Sequence, residues 1–301
     1  MQQRSRGHDV LPPPPPPAHA GRPPSSPPPV QSLWIGEQLS PIEQLCARSF
    51  LHHGHEFILY VYDEPAGVPD GVRVADANAI LPASAVFMHN IGTYAIFSDW
   101  FRWALLYCCG GWWVDMDVVC LKPFMFDEAL VFGGDKNIAT GSGKRGSGFC
   151  HIDVLSFPAG HAFCKHMLER CAHPNRLVAY DTWRDRARKL KRIMLRRGRE
   201  FTNWGETGGP YGFTRALEHY GLLKLAKPYE LFSPYLAFPR AEWQRMLLEQ
   251  FAGNIDGDGD ALFPDSYSFH IGNEFLRLDG YDKSKPFPAP SLLGRLSERY
   301  R

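Results

Sequence analysis

Apolar positions along the chain fall into two kinds of segment. Short continuous apolar runs are typical of buried strands, and apolar residues at i, i+3, i+4 and i+7 are typical of helices. The predicted strands lie at 33–36, 57–62, 72–74, 112–119, 130–132, 152–157 and 267–271. The predicted helices lie at 42–50, 98–109, 161–171, 183–199 and 210–220. Because strands and helices alternate, the sequence predicts an α/β sandwich.

The helix predicted at 98–109 has an apolar face and two charged residues that fall outside it. Ser98 is the expected N-cap, with Asp99 in the first turn beside the positive end of the helix dipole. Asp99 and Arg102 lie off the apolar stripe. That stripe consists of Phe101, Ala104, Leu105 and Cys108.

The strand predicted at 112–119 contains two carboxylates in an otherwise apolar run. Asp115 and Asp117 are two residues apart, so on a strand their side chains would point to the same face. Two carboxylates in such a strand repel each other and resist burial unless a cation or hydrogen-bond donors meet them. The pair is therefore a candidate site for a divalent cation that also holds phosphate oxygens.

Composition limits the classes of function. The 301 residues carry a formal net charge of +1, which argues against a general nucleic-acid-binding protein. Residues 1–31 are rich in proline and are expected to form a disordered or polyproline II tail. The remainder is expected to form one domain at 32–285 and a C-terminal extension at 286–301.

Cysteine content and hydropathy indicate the expected location. Seven cysteines without a Cys-x-x-Cys pair match neither a disulfide framework nor a zinc site, so we expect reduced thiols and a cytoplasmic protein. We expect no signal peptide and no transmembrane segment, because no apolar run approaches about 18 residues. The basic helix predicted at 183–199 is either a solvated face or a peripheral contact with the inner face of a membrane.

The motif Ser-Asp-x-x-Arg at 98–102 is followed by Leu-Tyr-x-x-Gly-Gly-x-x-x-Asp-x-Asp at 106–117. This combination resembles the Asp-x-Asp sugar-binding region of a glycosyltransferase family. The family includes α-1,6-mannosyl- and α-1,4-galactosyltransferases, capsular and lipopolysaccharide enzymes, and clostridial glucosylating toxin domains. The resemblance implies a GT-A fold, a Rossmann-like α/β/α sandwich with a mostly parallel central sheet. It also implies a nucleoside diphosphate sugar donor and Mn²⁺ or Mg²⁺.

The resemblance assigns the metal and catalytic positions. Asp117 would bind the metal directly, and Asp115 would contact the ribose and reach the metal through water. His270, in the segment Ser-Phe-His-Ile-Gly-Asn at 268–273, would be the third ligand. A single histidine on a strand is also commonly structural, so that alternative stays open. His151 and Asp153 lie where the family often has paired asparagines, and they are candidates for the acceptor side.

The resemblance also assigns donor-binding positions. Trp34 would stack on the nucleotide base, although a core aromatic fits the same pattern. Asp99 and Arg102 would hold sugar hydroxyls, the alternative being a simple helix ion pair. Thr207 and Gly208 match a Thr-Gly-Pro segment, but this chain has one glycine more, and a plain helix-start loop is the alternative.

The function implied is transfer of a hexose from a UDP- or GDP-linked donor to a saccharide acceptor, which can be lipid-linked, with retention of configuration. Polysaccharide biosynthesis is the expected setting. Three alternatives remain: an effector-like glycosyltransferase that modifies a protein, a HAD-type phosphohydrolase with Asp115 as nucleophile, and a non-catalytic domain that binds sugar nucleotides.

Overall fold

The computed structural model describes residues 26–135, 138, 148–237, 239–248, 262–273, 276 and 280–301. Residues 1–25 of the predicted tail lie outside this set. The strands are β1 (Val30–Trp34), β2 (Phe57–Val61), β3 (Arg73–Asp76), β4 (Gly111–Val114), β5 (Val118–Cys120), β6 (Val131–Gly134), β7 (Cys150–Phe157) and β8 (Ser268–His270). The helices are α1 (Pro41–His52), α2 (Ala95–Cys108), α3 (Ala162–Ala172), α4 (Trp183–Met194), α5 (Pro210–His219), α6 (Arg240–Leu248) and α7 (Leu292–Arg299).

Within the described residues, six strands form the central sheet in the order β3-β2-β1-β4-β7-β6. The pairs β3-β2, β2-β1 and β1-β4 are parallel, whereas β7 runs antiparallel to both β4 and β6. Five of these strands therefore point the same way and β7 is reversed. The predicted α/β class with a mostly parallel sheet is confirmed.

Helices cover both faces of the sheet. Trp113 faces one apolar cluster, formed with α2, α3 and α5, and its neighbour Trp112 faces a second cluster with α1. Successive side chains of β4 thus point to opposite faces, as the pleat of a strand requires. A third cluster joins β5 and β8 to α6 and α7, so α7, within the predicted C-terminal extension, packs into a core.

Some predicted boundaries are wrong. Helix α2 begins at Ala95, so Ser98 lies inside the helix and does not cap it. Strand β1 begins at Val30, within the predicted tail, because Val30 donates its amide to the carbonyl of Glu56 and is fully buried. Helix α4 ends at Met194 rather than at residue 199.

The strand predicted at 112–119 is in fact two strands of different sheets. Strand β4 belongs to the central sheet, and β5 pairs with β8 in a separate two-stranded sheet. Asp115 and Asp117 lie in the turn between them, where the amide of Val118 donates to the carbonyl of Asp115. The expectation that strand alternation aligns the two carboxylates is therefore wrong, and a turn places them.

None of the helices described here combines the length and the apolar character that crossing a bilayer demands.

Candidate metal and donor site

Two strand pairs meet at the turn that carries the aspartates. In the pair β4-β7, Val114 and Val154 are the last paired residues. One position further on, the amide of Asp115 donates to the carbonyl of Asp153 at 2.8 Å. In the pair β5-β8, Val118 lies opposite His270, which places the imidazole beside Asp117. The sheet register thus brings together residues that are far apart in sequence.

Asp115, Asp117 and His270 form a compact cluster. One ligand atom from each lies within 4.8 Å of the others. His270 Nε2 lies 3.0 Å from Asp117 Oδ1, and the amide of Asn273 donates to Asp117 Oδ2 at 2.7 Å. All three side chains retain partial exposure to solvent, so water and a small ion can reach them. Two carboxylates and an imidazole are a donor set suited to Mn²⁺, and the carboxylates suit Mg²⁺.

Arg102 links this cluster to Asp99 on helix α2. Its guanidinium donates from Nη1 to Asp99 and from Nη2 to Asp115, each at 2.7 Å. The indole of Trp113 donates to the same Asp115 oxygen at 2.7 Å, and the guanidinium lies 4.8 Å from the centre of that ring. Asp99 and Arg102 are buried, because nearly every side of α2 is enclosed. The i, i+3 ion pair that was the alternative to a sugar-binding role is present, and it extends to Asp115.

Burial and neighbouring charges shift the pKa values of the cluster. Burial raises the pKa of Asp99 to about 6, against the opposing effect of Arg102, and burial also raises the pKa of Asp115. Burial acts to raise the pKa of Asp117, but His270 and the Asn273 amide hold that pKa below its ordinary value. Burial acts to lower the pKa of His270, but the surrounding carboxylates raise it to about 10. The carboxylates therefore favour a positive charge among them.

Asp153 is a further carboxylate at the same place. It is only 3% exposed, and neither of its carboxylate oxygens has a hydrogen-bond partner among the described residues. Its Oδ2 lies 3.8 Å from His270 Nδ1, the ring nitrogen that does not face Asp117. His151, its companion in the sequence prediction, is also buried, and its Nε2 lacks a partner in the described part of the chain. Asp153 thus faces the candidate metal ligand.

Thr207 and Gly208 lie against helix α2 at Asp99. The indole of Trp103 donates to the carbonyl of Gly208 at 2.8 Å. A Cβ on Gly208 would lie 2.4 Å from the sulfur of Cys171 and 3.1 Å from the Cβ of Asp99, so only glycine allows this approach. The loop continues into Gly209, the N-cap of α5. The structure therefore brings the predicted donor loop next to the predicted sugar-binding carboxylate.

Trp34 is connected to Asp117 indirectly, through successive contacts of Lys283, Glu43 and Asn273. Lys283 Nζ lies 5.6 Å from the centre of the Trp34 ring and 2.5 Å from Glu43 Oε1. Asn273, whose amide holds Asp117, has its side-chain nitrogen 3.4 Å from the same glutamate oxygen. The indole Nε1 of Trp34 is buried without a partner in the described part of the chain.

Sequence reasoning did not select Glu43, Asn273 or Lys283. Asn273 is the last residue of the segment 268–273, which contains His270, so its proximity in sequence could have suggested it. The sequence around Glu43 indicates a structural role, because Glu43 forms the capping box of α1 with Ser40. No pattern around Lys283 singles it out.

Comparison with known proteins assigns this chain to no family. No protein-family model matches the chain, and a comparison with curated proteins finds no match. A solved structure described as PaToxG Glycosyltransferase is similar over 65% of this chain and 69% of that chain, with a TM-score of 0.42 and 14% sequence identity. The function of the chain therefore has to be inferred from its own site.

Proposed function

We propose that this chain is a metal-dependent glycosyltransferase that moves a hexose from a UDP- or GDP-linked donor to a saccharide acceptor. The observation that carries the proposal is the cluster of Asp115, Asp117 and His270, whose ligand atoms lie within 4.8 Å of one another. The same cluster is joined through Arg102 to Asp99. A cation site beside a rigid carboxylate–guanidinium pair has the parts needed to hold a diphosphate and a sugar.

Asp115, Asp117 and His270 would hold Mn²⁺ or Mg²⁺. When bound, the cation supplies Lewis-acid neutralisation of the charge that develops on the leaving nucleoside diphosphate. The protein orients its ligands beforehand. Arg102 and Trp113 fix Asp115, and the Asn273 amide fixes Asp117.

The donor sugar would lie beside Asp99. Because Arg102 holds this carboxylate in one orientation, Asp99 can accept hydrogen bonds from sugar hydroxyls at little cost in entropy. Thr207 and Gly208 would close the same side of the donor site, and Trp34 would contact the base. Retention of configuration is proposed on the family resemblance alone.

Two exposed aromatic rings support a saccharide acceptor. Trp204 and Tyr211 flank the Thr207 loop, their ring centres lie 5.8 Å apart, and each side chain is about half exposed. Exposed aromatic faces offer a stacking platform for the C–H faces of sugars, and a lipid-linked saccharide would present the same faces. A protein acceptor, as in an effector-like enzyme, is the alternative that product analysis would reveal.

A phosphohydrolase mechanism with Asp115 as nucleophile is less consistent with the geometry. One oxygen of Asp115 accepts hydrogen bonds from both Arg102 and Trp113. These donors occupy that oxygen and leave only the other one to attack phosphorus.

The test is hydrolysis of a panel of UDP- and GDP-sugars by the full chain, with Mn²⁺, with Mg²⁺ and with a chelator. We expect turnover of one donor that the chelator abolishes. Asp117→Asn should reduce that turnover by about 100-fold or more, while the melting temperature measured with the chelator changes little. Asp70→Asn, at an exposed carboxylate before the start of β3 and therefore at the opposite edge of the parallel strands, is the matched control. Turnover that ignores the chelator, or an Asp117→Asn variant as active as the control, would contradict the proposal.

A further inference from the structure

Helix α4 turns three of its charged side chains, Asp185, Lys189 and Arg192, towards the domain. Lys189 Nζ lies 2.7 Å from Asp181, and Arg192 Nη2 lies 2.7 Å from Glu206. Asp185 is ion-paired on the same face. These residues are almost completely buried, so ion pairs attach the helix to the domain.

The opposite face of α4 exposes large apolar side chains. Trp183 is 74% exposed, Met194 is 82% exposed and Leu190 is 50% exposed. At about 100° per residue these three positions fall within about 20° of one line along the helix. Ile193, about 80° round the helix from this line, and Leu195, just after the helix, are about half exposed as well. A helix that packed on its own core would bury such residues, so this face is available to a partner.

Cations border the apolar line. From residue 183 to residue 198, all of which are described, the charged side chains exposed to solvent are basic and none is acidic. They are Arg184, Arg186, Lys191, Arg196 and Arg197. The partner is therefore expected to combine an apolar interior with a negatively charged surface.

We propose that α4 and the turn after it bind an anionic lipid bilayer, with the apolar line in the interfacial region and the cations at the headgroups. The twelve-residue helix would lie in the plane of the interface, because it is too short and too charged to cross. If two copies of this chain associated through this face, their cations would lie against each other, so a second copy is an unfavourable partner. The N-terminal segment 1–25 carries Arg4, Arg6 and Arg22 against Asp9, so its charge does not complement the face either.

This placement links the bilayer to the donor loop. Arg192 on the inner face of α4 pairs with Glu206, and Thr207 follows directly. If the proposed transferase activity is correct, the donor side of the site lies close to the lipid surface. Membrane binding itself does not depend on that activity.

The experiment is co-sedimentation of the full chain with vesicles, without substrate. Vesicles of phosphatidylcholine alone are compared with vesicles that contain about 30% phosphatidylserine. We expect binding to the anionic vesicles that weakens as salt is raised. Arg184→Gln/Lys191→Gln should weaken this binding by about 30-fold, since each cation near an anionic leaflet contributes roughly five-fold. Trp183→Ser/Met194→Ser should weaken it as well. Lys165→Gln/Lys224→Gln, at exposed lysines on other elements, is the matched control.

Three results would overturn the inference: no binding to anionic vesicles, equal loss in the control and the α4 variants, or a solution dimer that Trp183→Ser/Met194→Ser abolishes. Donor hydrolysis in solution should be the same in all these variants. Vesicle binding by a chain that hydrolyses no donor would refute the transferase and leave the membrane contact standing.

Discussion

Asp153 lies on β7 and faces His270 of β8, and neither of its carboxylate oxygens has a hydrogen-bond partner among the described residues. A histidine that binds a metal commonly donates its other ring N–H to a carboxylate, which fixes the tautomer and the ring orientation. His270 presents Nε2 to Asp117 and Nδ1 to Asp153. Asp153 is thus positioned to orient the proposed third ligand.

Asp153→Asn should therefore weaken Mn²⁺ binding by about 10- to 100-fold, because the amide cannot stabilise the Nδ1–H form equally well. Electron paramagnetic resonance titration of free Mn²⁺ measures this directly, without substrate. His151→Gln, at a buried position on the same strand, is the control and should leave the affinity unchanged. Equal affinities in the two variants would remove Asp153 from the site.

Asp99 gives a pH dependence of stability. The pKa of Asp99 in the folded chain is raised to about 6, chiefly by burial, whereas the pKa of an aspartate in an unfolded chain is about 4. Between these values the folded chain keeps a proton that the unfolded chain releases, so this contribution to stability is lost as the pH rises through about 6. The stability of the wild type relative to Asp99→Asn should fall by up to about 3 kcal/mol from pH 4 to pH 7.

Urea unfolding of both proteins in the presence of a chelator measures that difference. A difference that stays constant between pH 4 and pH 7 would show that Asp99 is not desolvated in the folded chain.

At the scale of elements, the loop before α5 and the helix α2 form one unit. Gly208→Ala should displace the loop from Asp99, because the new methyl group would lie 2.4 Å from the sulfur of Cys171. We expect a loss of about 1–3 kcal/mol in stability and a higher KM for the donor. Gly133→Ala, where the nearest atom lies at an ordinary 3.4 Å, is the matched control for stability and donor kinetics. A Gly208→Ala variant with unchanged donor KM would separate the loop from donor binding.

Sequence patterns predicted the elements better than their roles. The apolar runs located β2 and β7, and the Ser40-Pro41 signal located the start of α1. The pattern could not show that the apolar run at 112–119 divides between two sheets, since both halves are equally buried. The sequence selected the two aspartates as candidates, but their alignment depends on a turn and on strand partners distant in sequence.

The orientation of helix α4 likewise could not be predicted from the local sequence pattern. Its apolar side chains follow helical spacing, and spacing alone cannot say which face meets the core. Long-range ion pairs such as Arg192–Glu206 decide that orientation, and residues so far apart leave no local signal. Likewise, Asp99 and Arg102 lie off the apolar stripe of α2, yet both are buried, and Gly208 and Gly209 of a loop distant in sequence pack against Asp99.

At the scale of the whole molecule, the first described strand limits where the chain can be shortened. Val30 is fully buried in β1, and the carbonyl of Pro28 lies 2.7 Å from His55 Nδ1. Deletion of residues 1–25 should change the melting temperature by less than about 2 °C, because a proline-rich segment builds no core. Deletion of residues 1–34 removes a strand between β2 and β4 and should prevent folding. Thermal unfolding followed by circular dichroism compares the two truncations, and a large decrease for the shorter one would show that the segment is part of the fold.

The cluster joins Asp117 to His270, which are 153 positions apart. A cation held by both would act as a reversible cross-link that closes about half of the chain into a loop, and closing a long loop restricts the unfolded ensemble strongly. The cation would then bind tightly only when β8, which carries His270, has docked beside Asp117. In a cell whose free Mn²⁺ varies, the resistance of this protein to unfolding and proteolysis would follow the ion supply even when no sugar nucleotide is present.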